Sequence, residues 1–132
     1  MATSGLKLIF DENFSHKQVS FLHSESGLAD MRHVRSMSWS STPDATWIPL
    51  AVGMDMVIVS WDRNEQTRGF TVADLKYMNA REILFGPFWD NLGRWDKAKW
   101  LIAHIERLIL IAEAMSHGSV VLVDRSCRVT QL

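Results

Sequence analysis

The segment MVIVS, residues 56–60, constrains the fold more than any other. Four apolar residues stand in a row without polar alternation, so the strand they form needs cover on both faces. That is the situation of a central strand in a parallel sheet with helices above and below. The rest of the chain repeats the theme at lower contrast. LKLIF (6–10) is a first strand. FSHKQVSFLHSE carries Phe14, Val19 and Leu22 at roughly helical spacing, and Gly27 ends that helix. MRHVRSM is a weaker strand, with Met31, His33 and Arg35 on one face and Arg32 and Val34 on the other. TPDATWIPLAV begins a helix, with Thr42 as N-cap and Pro43 at the first helical position. Pro49 shortens or kinks it, and Gly53 closes it. TVADLKYMN is a short helix and REILF the next strand, stopped by Gly86 and Pro87. The longest helix runs from about Asp96 to Ser116, with His117 and Gly118 at its end. SVVLV and CRVTQL, separated by DRS, form either a terminal β-hairpin or one strand plus a tail.

Strands alternating with helices predict an α/β fold, a three-layer sandwich with a mainly parallel central sheet. A chain of 132 residues suits a single domain spanning 1–132. The Ser-rich SMSWSSTPD reads as a loop rather than a linker. A net charge of -1 with 22% charged residues argues against an extended basic surface for nucleic acid, though not against a local basic groove. The single cysteine, Cys127, excludes an intramolecular disulfide and a multi-thiolate zinc site, which points to a reducing cytoplasm. MATSG has no charged leader region, and the most apolar stretch, WLIAHIERLILIAEAM, is interrupted by charge and shorter than the ~20 residues of a membrane span. A protein with no membrane partner is the expectation.

The acids fall at informative places. In a parallel sheet, ligands bind beyond the carboxyl ends of the strands. Asp11 and Glu12 directly follow the first strand, and Asp62 follows MVIVS within SWDRN. Asp44 lies in the first turn of a helix whose N-terminus reaches the same edge if it runs antiparallel to the strands. Clustered carboxylates repel and call for a cation. Oxygen donors without sulfur suit Mg²⁺ or Mn²⁺, ions that orient water and stabilise charge in phosphoryl chemistry. Each acid also has a plainer reading. Asp44 complements the helix dipole, Asp62 caps a turn, and Glu12 points to solvent.

LIFDEN, PDATWIPLA and VIVSWDRN, in this order, resemble the PIN-like domains, and more narrowly a VapC-type subgroup that starts Asp-Glu-Asn. The resemblance spans most of the chain. It implies a metal-dependent nuclease, commonly a ribonuclease and the toxin of a toxin–antitoxin pair, with RNA as substrate and a protein antitoxin as partner. By motif, Asp11, Asp44 and Asp62 match metal-holding acids, and Glu12 matches the second letter of the Asp-Glu-Asn start. Ser60 fills a place where the family carries Thr or Ser. Asn64 stands where an Asp is frequent, Trp61 is bulky for a site rim, and Glu65 is the nearest acid that could replace the missing charge. These departures support a second reading, a PIN-like binding module that has lost efficient chemistry. A phosphoacceptor receiver domain ranks below both, because LVDRS and ILFGP lack the lysine it would want.

Arg63 and Arg68 are the candidates for substrate phosphate, against the default of a solvated loop. LGRWDKAKW interleaves Arg94, Lys97 and Lys99 with Trp95 and Trp100, which suits RNA stacking. The plainer reading is a helix start with solvated lysines and two core tryptophans. The five histidines show no metal-ligand spacing, and no Gly-rich phosphate loop is present. On the long helix, Ala98, Leu101, Ile102, Ile105, Leu108, Ile109 and Ala112 form an apolar stripe, widened by Leu110, Ile111, Ala114 and Met115. A helix so apolar is either central in the core or one face of a homodimer. Dimerisation is common among PIN-like proteins and favours the second.

Overall fold

Short apolar runs become strands here because helices cover them from both sides. The computed structural model describes residues 5–61 and 69–132. The elements in chain order are β1 (Lys7–Phe10), α1 (His16–Ser26), β2 (Asp30–His33), α2 (Asp44–Gly53), β3 (Val57–Trp61), α3 (Val72–Tyr77), β4 (Arg81–Phe85), α4 (Arg94–Ala114), β5 (Val120–Val123) and β6 (Val129–Gln131). Single 3₁₀ turns occupy Val34–Met37 and Pro87–Asn91.

The six strands form one sheet in the order β2-β1-β3-β4-β5-β6. All neighbours are parallel except β5 and β6, which form the antiparallel C-terminal hairpin. Alternation along the central strands feeds two cores. Leu8, Phe10, Val57, Val59, Ile83 and Phe85 pack with α1 and α4 on one face. Ile9, Ile58 and Leu84 pack with Trp47, Ile48 and Ala51 of α2 and Leu75 of α3 on the other. The first face is aromatic: Phe14, Phe85 and Trp89 lie with ring centroids 5.0–5.1 Å apart. Offset and edge-on contacts of this kind stabilise beyond their buried area.

Several boundaries depart from the sequence expectation. The strand in MRHVRSM ends at His33, and Val34–Met37 turns into a 3₁₀ helix whose cap is His33 itself. Helix α2 starts at Asp44, so Pro43, not Thr42, is the cap residue, and no side chain caps it. The helix continues four residues past Pro49. The missing N–H affects only the bond to the Ala45 carbonyl, within the first turns. Helix α4 begins at Arg94 and ends at Ala114, where Met115 turns extended. Gly118, at φ +83°, serves the turn into β5 rather than the helix end. The stripe on α4 is also narrower than periodicity suggests: Ile102 and Leu110 face outward, 54% and 60% exposed. Among the described residues no helix is long and apolar enough to cross a membrane.

Candidate functional site at the carboxyl edge of the sheet

The strand order reverses between β1 and β3. The chain leaves β1 toward α1 on one face, whereas α3, which follows β3, lies on the other. Ligands of open α/β sheets bind beyond the carboxyl ends of the strands at such a reversal, which here are the ends of β1 and β3.

Asp11 sits at that point. Its backbone N–H donates to the Val59 carbonyl at 3.1 Å, which keeps it anchored to β3 just past the end of its own strand. Its side chain is only 7% exposed. The Asn13 backbone N–H donates to one carboxylate oxygen at 2.9 Å, and the Asn13 side-chain amide donates to the other at 3.2 Å. The third letter of the Asp-Glu-Asn start thus orients the first. Glu12 is exposed, yet one of its oxygens accepts the Ser41 backbone N–H at 3.3 Å. That bond ties the tip of β1 to the segment entering α2, and it brings the α2 N-terminus to the carboxyl edge.

Asp44 is the first residue of α2. Its carboxylate accepts the indole N–H of Trp47 at 3.0 Å, while Trp47, buried, stacks on Trp39 at 6.2 Å. Two segments carrying candidate acids therefore meet at one edge, and each acid is also held by a neutral donor of its own segment. Asp62, Arg63 and Arg68, with Asn64 and Glu65, lie outside the described residues; β3 is described through Trp61. Among the described residues, no group of three or more His, Cys, Asp or Glu could hold a metal ion.

Two buried polar contacts escaped the sequence reading. His33, at the end of β2, is buried. Its Nδ1 accepts the Arg35 backbone N–H at 3.0 Å, which requires a lone pair there; the proton is therefore on Nε2, donated to the Phe14 carbonyl at 2.8 Å. Burial pushes the imidazole below its ordinary pKa, against the opposing pull of the Phe14 carbonyl and Glu12. The His16 ring meets it edge-on at 5.4 Å. His33 therefore clamps the loop after Asp11 to the end of β2. The second contact joins central strands: the Ser60 hydroxyl donates to the Glu82 carboxylate at 2.6 Å, both side chains buried. The sequence signal for it was an acid, Glu82, directly before the apolar run ILF within the strand REILF.

The basic–aromatic segment LGRWDKAKW divides. Trp100 is buried and donates its indole N–H to the Arg125 carbonyl at 2.9 Å. Lys97 lies over the Trp89 ring at 5.4 Å. Trp95 is 72% exposed, so only one of the two tryptophans belongs to the core.

Fold and edge together define a doubly wound α/β protein whose candidate site lies at the reversal of strand order. No family model matches the chain, and neither the curated proteins nor the solved structures yield a similar one.

Proposed function

We propose that the protein is a Mg²⁺- or Mn²⁺-dependent endoribonuclease of PIN-like type, the toxin of a toxin–antitoxin pair, acting in the cytoplasm with a protein antitoxin as partner. The observation that supports this reading best is the meeting of the Asp11–Glu12 and Ser41–Asp44 segments at one sheet edge through the Glu12–Ser41 hydrogen bond. In this reading Asp11, Asp44 and Asp62 hold the ion, Glu12 assists, and Arg63 and Arg68 neutralise substrate phosphate. The donor set is all oxygen, which suits a hard cation. A carboxylate has about four lone-pair sites, so a bond from Asn13 or Trp47 does not by itself bar a cation. When bound, such an ion supplies Lewis acidity and lowers the pKa of water at the scissile phosphate. The near-buried Asp11, oriented by Asn13, supplies a fixed negative oxygen that needs no rearrangement on binding.

A second reading, a binding module without efficient chemistry, draws on Asn64 and on the neutral donors already engaging Asp11 and Asp44. Calorimetric titration with Mn²⁺ and a metal-stimulated RNA cleavage assay separate the two. Wild type is expected to bind Mn²⁺ and to cleave. Asp62→Asn is expected to stay folded and lose cleavage by on the order of 100-fold or more, since even outer-shell partners of a metal site are worth ~10–100-fold. Matched cleavage by wild type and Asp62→Asn would count against the nuclease reading. A folded wild type with neither Mn²⁺ uptake nor cleavage would favour the binding module.

A further inference from the structure

Helices α1 and α4 cover the same face of the sheet, and a groove of about 360 Å³ lies between them. Each helix follows a parallel strand, β1 or β4, so both start at the carboxyl edge. The Gln18 side-chain amide donates to the Arg94 carbonyl at 3.1 Å, which pins the two helix starts together. The groove therefore begins at the edge that carries Asp11 and Glu12. Ser15, in its wall, stands four residues beyond Asp11, a span of at most about 14 Å. Further along, the walls are apolar, with Phe21 and Ile102 both more than half exposed. Trp95, also in the wall, is the most exposed tryptophan among the described residues.

The charges that line this groove have one sign. They are Lys17 and Arg94, and neither side chain is paired with a carboxylate among the described residues. Asp96, next to Trp95 in the chain, is engaged by Lys99 at 3.2 Å. An exposed indole beside unpaired cations is the composition of a site for single-stranded nucleic acid, in which a base stacks on the ring and the cations take phosphates. The centre of a protein-docking surface is depleted of lysine, so charge favours a polyanion over an apolar peptide. A duplex fits poorly, because its bases are stacked on one another and only unpaired ones can be splayed onto an aromatic ring.

We propose that the groove between α1 and α4 is a subsite for unpaired RNA, in which one base stacks on Trp95 and the flanking phosphates meet Lys17 and Arg94. The identity of the polyanion rests on the ribonuclease reading, but the test needs neither metal nor cleavage. Fluorescence anisotropy follows a labelled single-stranded RNA binding to the full chain in EDTA. The annealed duplex and an acidic amphipathic peptide serve as further probes, and circular dichroism checks folding. Wild type is expected to prefer the single strand to the duplex. Trp95→Ala is expected to weaken single-strand binding by about tenfold, as loss of one stacked base does, and to leave duplex binding unchanged. Trp95→Phe should keep most of the affinity. Lys17→Ala and Arg94→Ala should each flatten the dependence of log affinity on log salt by about 0.7, the share of one phosphate contact. Single-strand affinity indifferent to Trp95→Ala overturns the proposal, even in a chain that cleaves RNA. So does an equal loss on the duplex. Peptide binding through Trp95 by a chain that ignores RNA also overturns it and marks a protein-docking groove. RNA binding through Trp95 by a chain that never cleaves keeps the subsite and removes the nuclease.

Discussion

At the β2 edge of the sheet, outward backbone donors are taken up by side chains. The Asp30 N–H points inward to the Leu6 carbonyl, so the N–H groups of Met31 and His33 point outward. His23 Nδ1 accepts the first at 3.1 Å, and the Ser36 hydroxyl accepts the second at 3.2 Å. At the β6 edge, the Arg128 carbonyl and the Leu132 N–H face β5, which leaves the backbone groups of Val129 and Gln131 turned away. The Gln131 side chain reaches Ser119 and Val120 instead of capping its own strand. β6 is only three residues long and exposed throughout. A short edge offers little template for another chain, so brevity protects it where caps protect β2. The difference also follows what each edge supports. The β2 caps are continuous with His33, which holds the Phe14 carbonyl and hence the loop carrying Asp11. β6 supports only its own hairpin.

If the β2 edge carries this weight, its disruption should cost most at His33. His33→Phe removes the bonds to Phe14 and Arg35 within a buried site and should destabilise by about 2–4 kcal/mol in urea unfolding. The sign with pH follows from burial. Because the folded state holds the imidazole below its ordinary value of about 6.5, protonation favours the unfolded chain. Among the charged neighbours, Glu12 opposes the shift while His16 and Arg35 add to it. The His33 contribution is therefore complete above about pH 6.5 and declines as pH falls through the depressed value. In His33→Phe that part of the decline should vanish; an unchanged profile would remove His33 from the account.

Ser36→Ala comes next, at about 1 kcal/mol, the usual worth of a lost cap. Ser36 both accepts from the His33 N–H and donates to the His33 carbonyl at 2.7 Å. The smallest effect belongs to the bare edge. Val129→Thr should change stability by no more than about 0.5 kcal/mol. Hydrogen exchange sharpens the contrast without mutation: the Met31 and His33 amides should exchange slowly, and those of Val129 and Gln131 fast. Equal protection at both edges would erase the distinction.

Much of this architecture was legible in the residues. The continuous apolar run MVIVS marked a covered strand, REILF was legible as the next one, Gly27 marked the end of α1, and DEN marked the tip of β1. What failed shares a cause. HVRSM alternates like a strand, yet its course is decided by the Ser36 hydroxyl closing on the His33 backbone, a contact that alternation does not encode. Periodicity put Ile102 with the buried residues of α4 because it registers apolar spacing and not which flank a neighbouring element covers. His33 was read only as a residue on one strand face, because its acceptor, the Phe14 carbonyl, lies 19 residues away in sequence. At the candidate site, the order of the acids along the chain was readable. The Glu12–Ser41 bond that joins their segments was not, since nothing in either segment names the other.

The hydroxyl–carboxylate bond between Ser60 and Glu82 bears on how the middle of the sheet finds its alignment. In the native register Ile58 faces Glu82 and Ser60 faces Leu84, which puts both polar side chains in the layer under α2 and α3. Sliding β4 one residue along β3 would turn the Glu82 side chain into the aromatic layer of Phe10, Phe14 and Trp89. Sliding β4 two residues toward the start of β3 would set Glu82 beside Met56, away from the hydroxyl. Either of these slips takes the buried Glu82 carboxyl group away from the Ser60 hydroxyl at a cost of several kcal/mol, so this polar pair works as an indexing pin against mispairings that greasy side chains alone would tolerate.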